Sequence, residues 1–136
     1  MSDVIPGYLS DNVAVDQAIA ATGAGTSTIT SSEFDMLGYT SALIVCTFGT
    51  PAANNTITLQ DSATSGGEAS TTATTNDATK TPLVLDVQNV GGRYIKIQAA
   101  RGTSTTIDQV TLVRYNARIR PTTQTSTVKL AQFNGV

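Results

Sequence analysis

Gly38 to Phe48 reads GYTSALIVCTF and is followed, after GTPAANN, by TITLQDS at Thr56 to Ser62. The first segment is a continuous apolar run of strand length, as expected of a strand central in its sheet or covered on both faces. The second alternates, with Ile57 and Leu59 on one side and Thr56, Thr58 and Gln60 on the other, the period of a half-buried strand. Gly49 to Asn55 is rich in turn residues, so the two segments are expected to pair as a hairpin. Gly91 to Gln98 (GGRYIKIQ) and Ile107 to Tyr115 (IDQVTLVRY) repeat the pattern downstream, and Pro82 opens a further short strand, Leu83 to Val87. Upstream, Asn12 to Ala18 (NVAVDQA) alternates and Ser27 to Ser31 is a short strand. Ser31 to Gly38 turns a corner, and Asp61 to Thr81 reads as a long polar loop with an edge strand across Glu68 to Thr74. These segments predict an all-β fold, an antiparallel β-sandwich of jelly-roll type with about eight strands. The expected inward residues are Val13, Val15, Leu43, Val45, Ile57, Leu59, Leu85, Ile95, Ile97, Val110 and Leu112.

The chain has 136 residues, enough for one domain with a core that needs neither disulfide nor metal. Aromatics make up 5% and charged residues 13%, so the core is aliphatic and the surface polar but weakly charged. With no His and one Cys, a Cys–His nucleophile and a usual zinc site are ruled out. Cys46, inside ALIVCTF, is expected to be a buried small hydrophobe, in a chain that does not depend on oxidation. Glu33 and Asp35 flank an apolar corner instead of a cleft, and no phosphate-binding glycine loop or calcium loop is present, so no enzymatic activity, catalytic residue, cofactor or metal is expected. No secretory signal or membrane span is read from the sequence. A net charge of −2 argues against nucleic acid as a partner.

The charges are segregated. Met1 to Thr79 holds acids and no Lys or Arg, and every basic residue lies from Lys80 onward. Either the strands interleave and the asymmetry vanishes, or each subunit has complementary ends suited to a homo-oligomer, a trimer being expected. Arg114, Arg118 and Arg120 form the densest basic cluster, read both as a solvated strand end and as a docking patch for carboxylates. After residue 118 the periodicity stops. Residues 1–118 are therefore assigned to the sandwich and 119–136 to an extended C-terminal arm, whose Lys129, Leu130 and Phe133 join the three arginines as expected partner-binding residues.

Five segments carry a family resemblance: NVAVDQAIAATG at 12–23, GYTSALIV at 38–45, TITLQDS at 56–62, GGRYIKIQ at 91–98 and QVTLVRYNAR at 109–118. Their order resembles small capsid decoration, or cement, proteins of tailed bacteriophages. The resemblance implies a β-sandwich seated, often as a trimer, on the major capsid protein lattice at the virion surface, after assembly in the host cytoplasm. The arm departs from that pattern. The competing reading is a receptor- or carbohydrate-binding β-module of a fibre or lectin-like protein. It is weakened by the lack of Trp and by tyrosines that fall within strand patterns.

Overall fold

The structure, a computed structural model, describes residues 8–68, 71–118, 124 and 128–132. A 3-10 turn at Leu9–Asp11 precedes ten strands: β1 (Ala14–Ile19), β2 (Thr22–Gly25), β3 (Ile29–Thr30), β4 (Phe34–Asp35), β5 (Ser41–Phe48), β6 (Thr56–Ser62), β7 (Thr71–Asn76), β8 (Leu83–Val87), β9 (Tyr94–Ala100) and β10 (Thr105–Tyr115). They form two antiparallel five-stranded sheets packed as a sandwich. Sheet A runs β1-β10-β5-β8, with β2 also pairing β10; sheet B runs β3-β9-β6-β7, with β4 also pairing β9. The eight expected strands are present. The two additional ones, β2 and β4, are short pieces where the chain turns between sheets.

The expected hairpin is overturned. β5 lies in sheet A between β10 and β8, and β6 lies in sheet B between β9 and β7. The GTPAANN turn therefore carries the chain across the sandwich. Asn55, 1% exposed, holds that crossing: its Nδ2 donates to Thr50 O at 2.8 Å and its Oδ1 accepts from Gly102 N at 3.0 Å. Gly102 is required there, because an added Cβ would lie 2.1 Å from Asn54 Cβ. The one hairpin within sheet B is β6–β7, where the polar segment supplies the edge strand.

The core comprises Ile44, Cys46 and Phe48 of β5; Ile57 and Leu59 of β6; Ile95, Ile97 and Ala99 of β9; and Ile107, Val110 and Leu112 of β10. Leu83 is buried at the start of β8, and Leu85 packs partly against the cluster. The inward assignments in β6, β9 and β10 hold, but those in β1 and β5 are inverted. In β5, Ala42, Ile44, Cys46 and Phe48 are buried, while Leu43 and Val45 are half-buried on the outer face. In β1, Ala14, Asp16 and Ala18 are buried and Val15 is half-buried, while Val13, just before the strand, is buried as expected. β5 has aliphatic residues on both faces, and in β1 the buried alternate position is Asp16, paired with Arg114.

Side-chain truncation distinguishes the two phases. Ile44→Ala should lose about 2–5 kcal/mol, as a cavity in the core, whereas Leu43→Ala should stay under about 1 kcal/mol in urea unfolding. Equal losses would mean that the phase of β5 is wrong.

Candidate functional site

Pairing places the outward residues of sheet A in rows. One row is Val15–Val113–Leu43–Asp86; the next is Gln17–Thr111–Val45–Val84. Val15, Leu43, Val45 and Val113 are half-buried, and Val84 is 53% exposed. The outer face of sheet A is thus a mainly aliphatic strip. Sheet B presents the opposite chemistry outward. Thr58 Oγ1 lies 3.2 Å from Thr74 Oγ1, and Gln98 Nε2 donates to Thr30 Oγ1 at 3.3 Å, giving a polar Thr/Gln ladder across the sheet.

Gln124 and residues 128–132, the described part of the C-terminal segment, lie on the β1 side of the aliphatic strip. Gln124 Oε1 accepts from the backbone N–H of Val15 at 2.6 Å, and its Nε2 donates to Ser10 O at 3.0 Å and Val13 O at 2.8 Å. Gln132 Nε2 donates to Ser10 Oγ and Asp11 Oδ1, both at 2.8 Å. Val128 lines a cavity of about 230 Å³ together with Val15, Gln17, Gln109 and Thr111. Nothing in the hydrophobic pattern singled out Gln124, which stands alone among Thr and Ser.

The expected basic patch is dispersed. Arg114 is committed inside its own subunit: Nη2 pairs with Asp16 at 2.8 Å, Nη1 donates to Asp35 O at 2.7 Å, and the guanidinium lies 5.0 Å from the centre of the Tyr39 ring. Arg118 is exposed and borders a shallow cleft of about 200 Å³ with Leu37, Tyr39, Val90 and Arg93. Lys129 and Leu130 are exposed, Leu130 at 41%. Arg120 and Phe133 lie outside the described residues, as do most other positions of the arm. Arg101, which the sequence reading did not single out, is buried and donates to Gly23 O, Ser27 O, Ser27 Oγ and Thr105 O, tying the β2–β3 connection to β10.

The segregated charges meet across the fold. All three ion pairs among the described residues join an acid of the first half to a base of the second: Asp16–Arg114, Asp35–Arg93 and Glu68–Lys96. Three acids of the first half and three bases of the second are therefore paired within one subunit. Glu33 and Asp35 serve different partners. Glu33 accepts from Ser65 Oγ at 2.6 Å and Gly66 N at 2.7 Å, while Asp35 takes a two-pronged contact from Arg93. The neighbouring Glu68 forms no hydrogen bond with Glu33, and the Ser65 and Gly66 donors hold Glu33 below its ordinary value. The Glu68 oxygens are buried without a hydrogen bond, and Lys96 Nζ at 3.7 Å is the cation that faces them. The Arg93 guanidinium likewise holds the Asp35 carboxyl down. Cys46 is fully buried, and desolvation pushes its thiol up to about 12.

No family model matches the chain, and no curated protein matches it in sequence. Solved structures do share its fold. A chain from Bacillus endospore appendages, described as a family of disulfide-linked pili, is 15% identical with a TM-score of 0.51, covering 85% of this chain and 96% of that one. The SPBc2 prophage-derived protein YomS is 11% identical with a TM-score of 0.52, covering 82% of this chain and 98% of that one.

Two measurements check the charge assignments. Asp16→Ala strands the Arg114 charge, whose side chain is 14% exposed, and should cost about 3–5 kcal/mol. The double change with Arg114→Met should recover part of that loss; additive losses would refute the pairing. By NMR, Asp35 should titrate below its ordinary 3.8, and Arg93→Gln should raise it. A group depressed in the folded state stabilises above its unfolded value and loses that contribution as pH falls through the folded one. The mutation should therefore flatten the acid limb of stability, by a small amount for an exposed pair.

Proposed function

We propose that this chain is a structural subunit without enzymatic activity, a cement or decoration protein that sits on the major capsid protein lattice at a virion surface. The carrying observation is the chemical contrast between its two outer faces. A sandwich in water has no need for Val15, Leu43, Val45, Val84 and Val113 on the outside of one sheet when the other shows Thr and Gln. The β5–β8 half of the strip, away from the contacts of Gln124 and Val128, is the surface that docks on the lattice. Arg118 at the end of the sandwich, and Lys129 and Leu130 on the arm at the β1 side, are assigned as secondary partner contacts. Burying what remains exposed of the four side chains Leu43, Val45, Val84 and Val113 is worth roughly 1 kcal/mol each.

The fold shared with a prophage-derived protein and with an appendage subunit supports a role in assembly, as does the resemblance read from the sequence. The strand orders are read as jelly-roll type, since the chain changes sheets at six of the nine connections between the described strands and makes a hairpin within one sheet at β6–β7. The trimer rests chiefly on the resemblance, because part of the charge asymmetry that also motivated it is paired internally. Disulfide linkage of the kind named for the appendage pili does not suit this chain, whose single Cys46 is sealed in the core. Its assembly is noncovalent.

Val45→Glu and Val84→Glu should each weaken retention on empty capsids at least tenfold, about 1.4 kcal/mol, with thermal stability nearly unchanged. Thr74→Glu, on the opposite outer face, should have no effect. Undiminished retention of both glutamate variants would overturn the docking face, and binding to a glycan panel in place of capsids would favour the carbohydrate-binding alternative.

A further inference from the structure

We propose that the edge of β1, with the cavity beside it, is a receptor for the C-terminal arm of a second copy of this chain, and that Gln124 is the residue it recognises. The proposal rests on the structural-subunit reading above, which brings copies close together. β1 is an edge strand of sheet A, hydrogen-bonded to β10 and open on its other side. Such an edge displays backbone donors and acceptors that must be covered or blunted. The side-chain amide of Gln124 carries one carbonyl acceptor and an NH₂ group with two donors. It accepts from Val15 N–H and donates to Val13 C=O, the two bonds that the C=O and N–H of one residue of an additional strand would make on that edge. A further donation to Ser10 C=O extends the clasp to the turn before β1, and Gln132 grips the same turn through Ser10 Oγ and Asp11 Oδ1. Val128 lines the adjoining cavity together with Val15, Gln17, Gln109 and Thr111.

Every one of these seat atoms belongs to residues 10–17 or 109–111, and none to the root of the arm at Arg118. A neighbour's arm would therefore meet identical contacts on this seat, and exchange sacrifices none of them. What decides between the two arrangements is local concentration. The subunit's own arm has an effective concentration in the millimolar range, and copies packed side by side on a lattice approach that range. Exchange of an identical segment between identical subunits is a low-cost route to oligomers.

The test uses two full-length chains, each with one added cysteine and with the inert Cys46 retained. One carries Gln17→Cys in the seat, the other Val128→Cys in the arm. They are mixed at high concentration, oxidised, and the mixed disulfide is quantified by mass spectrometry. A control pairs the Val128→Cys chain with Thr74→Cys, on the opposite outer face. The expected result is a mixed dimer at least tenfold above the control, reduced to the control level when Gln124→Ala is added to the arm chain. A yield equal to the control, while a single chain carrying both Gln17→Cys and Val128→Cys closes internally, overturns exchange. A yield insensitive to Gln124→Ala overturns the role of that residue. Capsid retention through Val45 and Val84 is measured separately, so failure of arm exchange and failure of the docking face are told apart.

Discussion

β10 has to bury Ile107, Val110 and Leu112 on one face, and the first two are an odd number of residues apart. A regular strand would send them to opposite sides. The strand meets this demand with an irregularity at Asp108–Gln109, both exposed, where the register with β5 shifts between Ile107 and Gln109. Much of sheet A depends on that insertion. Before it, β10 pairs with β2; after it, with β1, whose own register shifts between Gln17 and Ile19. The change of phase also turns Arg114 inward at the far end of the strand, where it meets Asp16 on β1. A strand without the bulge would expose either Ile107 or the pair Val110 and Leu112, and would carry Arg114 with it.

Arg114 shows why an acid-only half and a basic half do not produce a polar molecule. Neighbouring strands in each sheet come from distant parts of the chain, so β1 lies against β10 and β4 against β9. Sequence segregation becomes spatial alternation, and the bases of the second half find the acids of the first. Arg101 goes further: it is buried without a carboxylate and spends its donors on backbone and hydroxyl oxygens around the β2–β3 connection. Three carbonyls and a hydroxyl aligned on one planar guanidinium suit Arg and not Lys. Charge in this chain therefore serves mainly to fasten connections, leaving the outer surfaces to be distinguished by apolar and hydroxyl content.

Sheet B was legible because its alternation is chemical as well as geometric. Ile57 and Leu59 sit between Thr56, Thr58 and Gln60, and Ile95 and Ile97 between Tyr94, Lys96 and Gln98, so only one phase buries apolar atoms. β5 offered no such contrast. ALIVCTF has aliphatic side chains on both faces, so the phase that buries Ile44 and Phe48 is not encoded locally in the sequence. The misread hairpin has a related cause. Turn residues announce a reversal of the chain without saying whether the next strand returns to the same sheet or crosses to the other. Among the site residues, Leu130, Lys129 and Arg118 are exposed, whereas Arg114 had no visible partner in sequence because Asp16 lies 98 positions away. Gln124 was invisible for a similar reason: its contacts are to backbone groups, which every residue possesses.

The ambiguity of β5 and β1 is itself informative. A strand that faces water on one side is under pressure to place polar residues there, and sheet B obeys that pressure along its length. Leu43, Val45, Val15 and Val113 do not. Since the inner residues of the same strands already complete the core, aliphatic side chains on the outside add little to folding and invite association. The two long edges of sheet A then differ in consequence. The β1 edge is occupied by the arm, through a side-chain amide that mimics a strand. On the β8 side, Val84 is more than half exposed, beside Asp86, which accepts a short hydrogen bond from Tyr115 Oη. Among the described residues, the apolar surface of the β8 side lies away from Gln124 and Val128 and gives the subunit a direction in which to dock. With Cys46 sealed in the core, that docking depends on area and fit, not on a covalent bond.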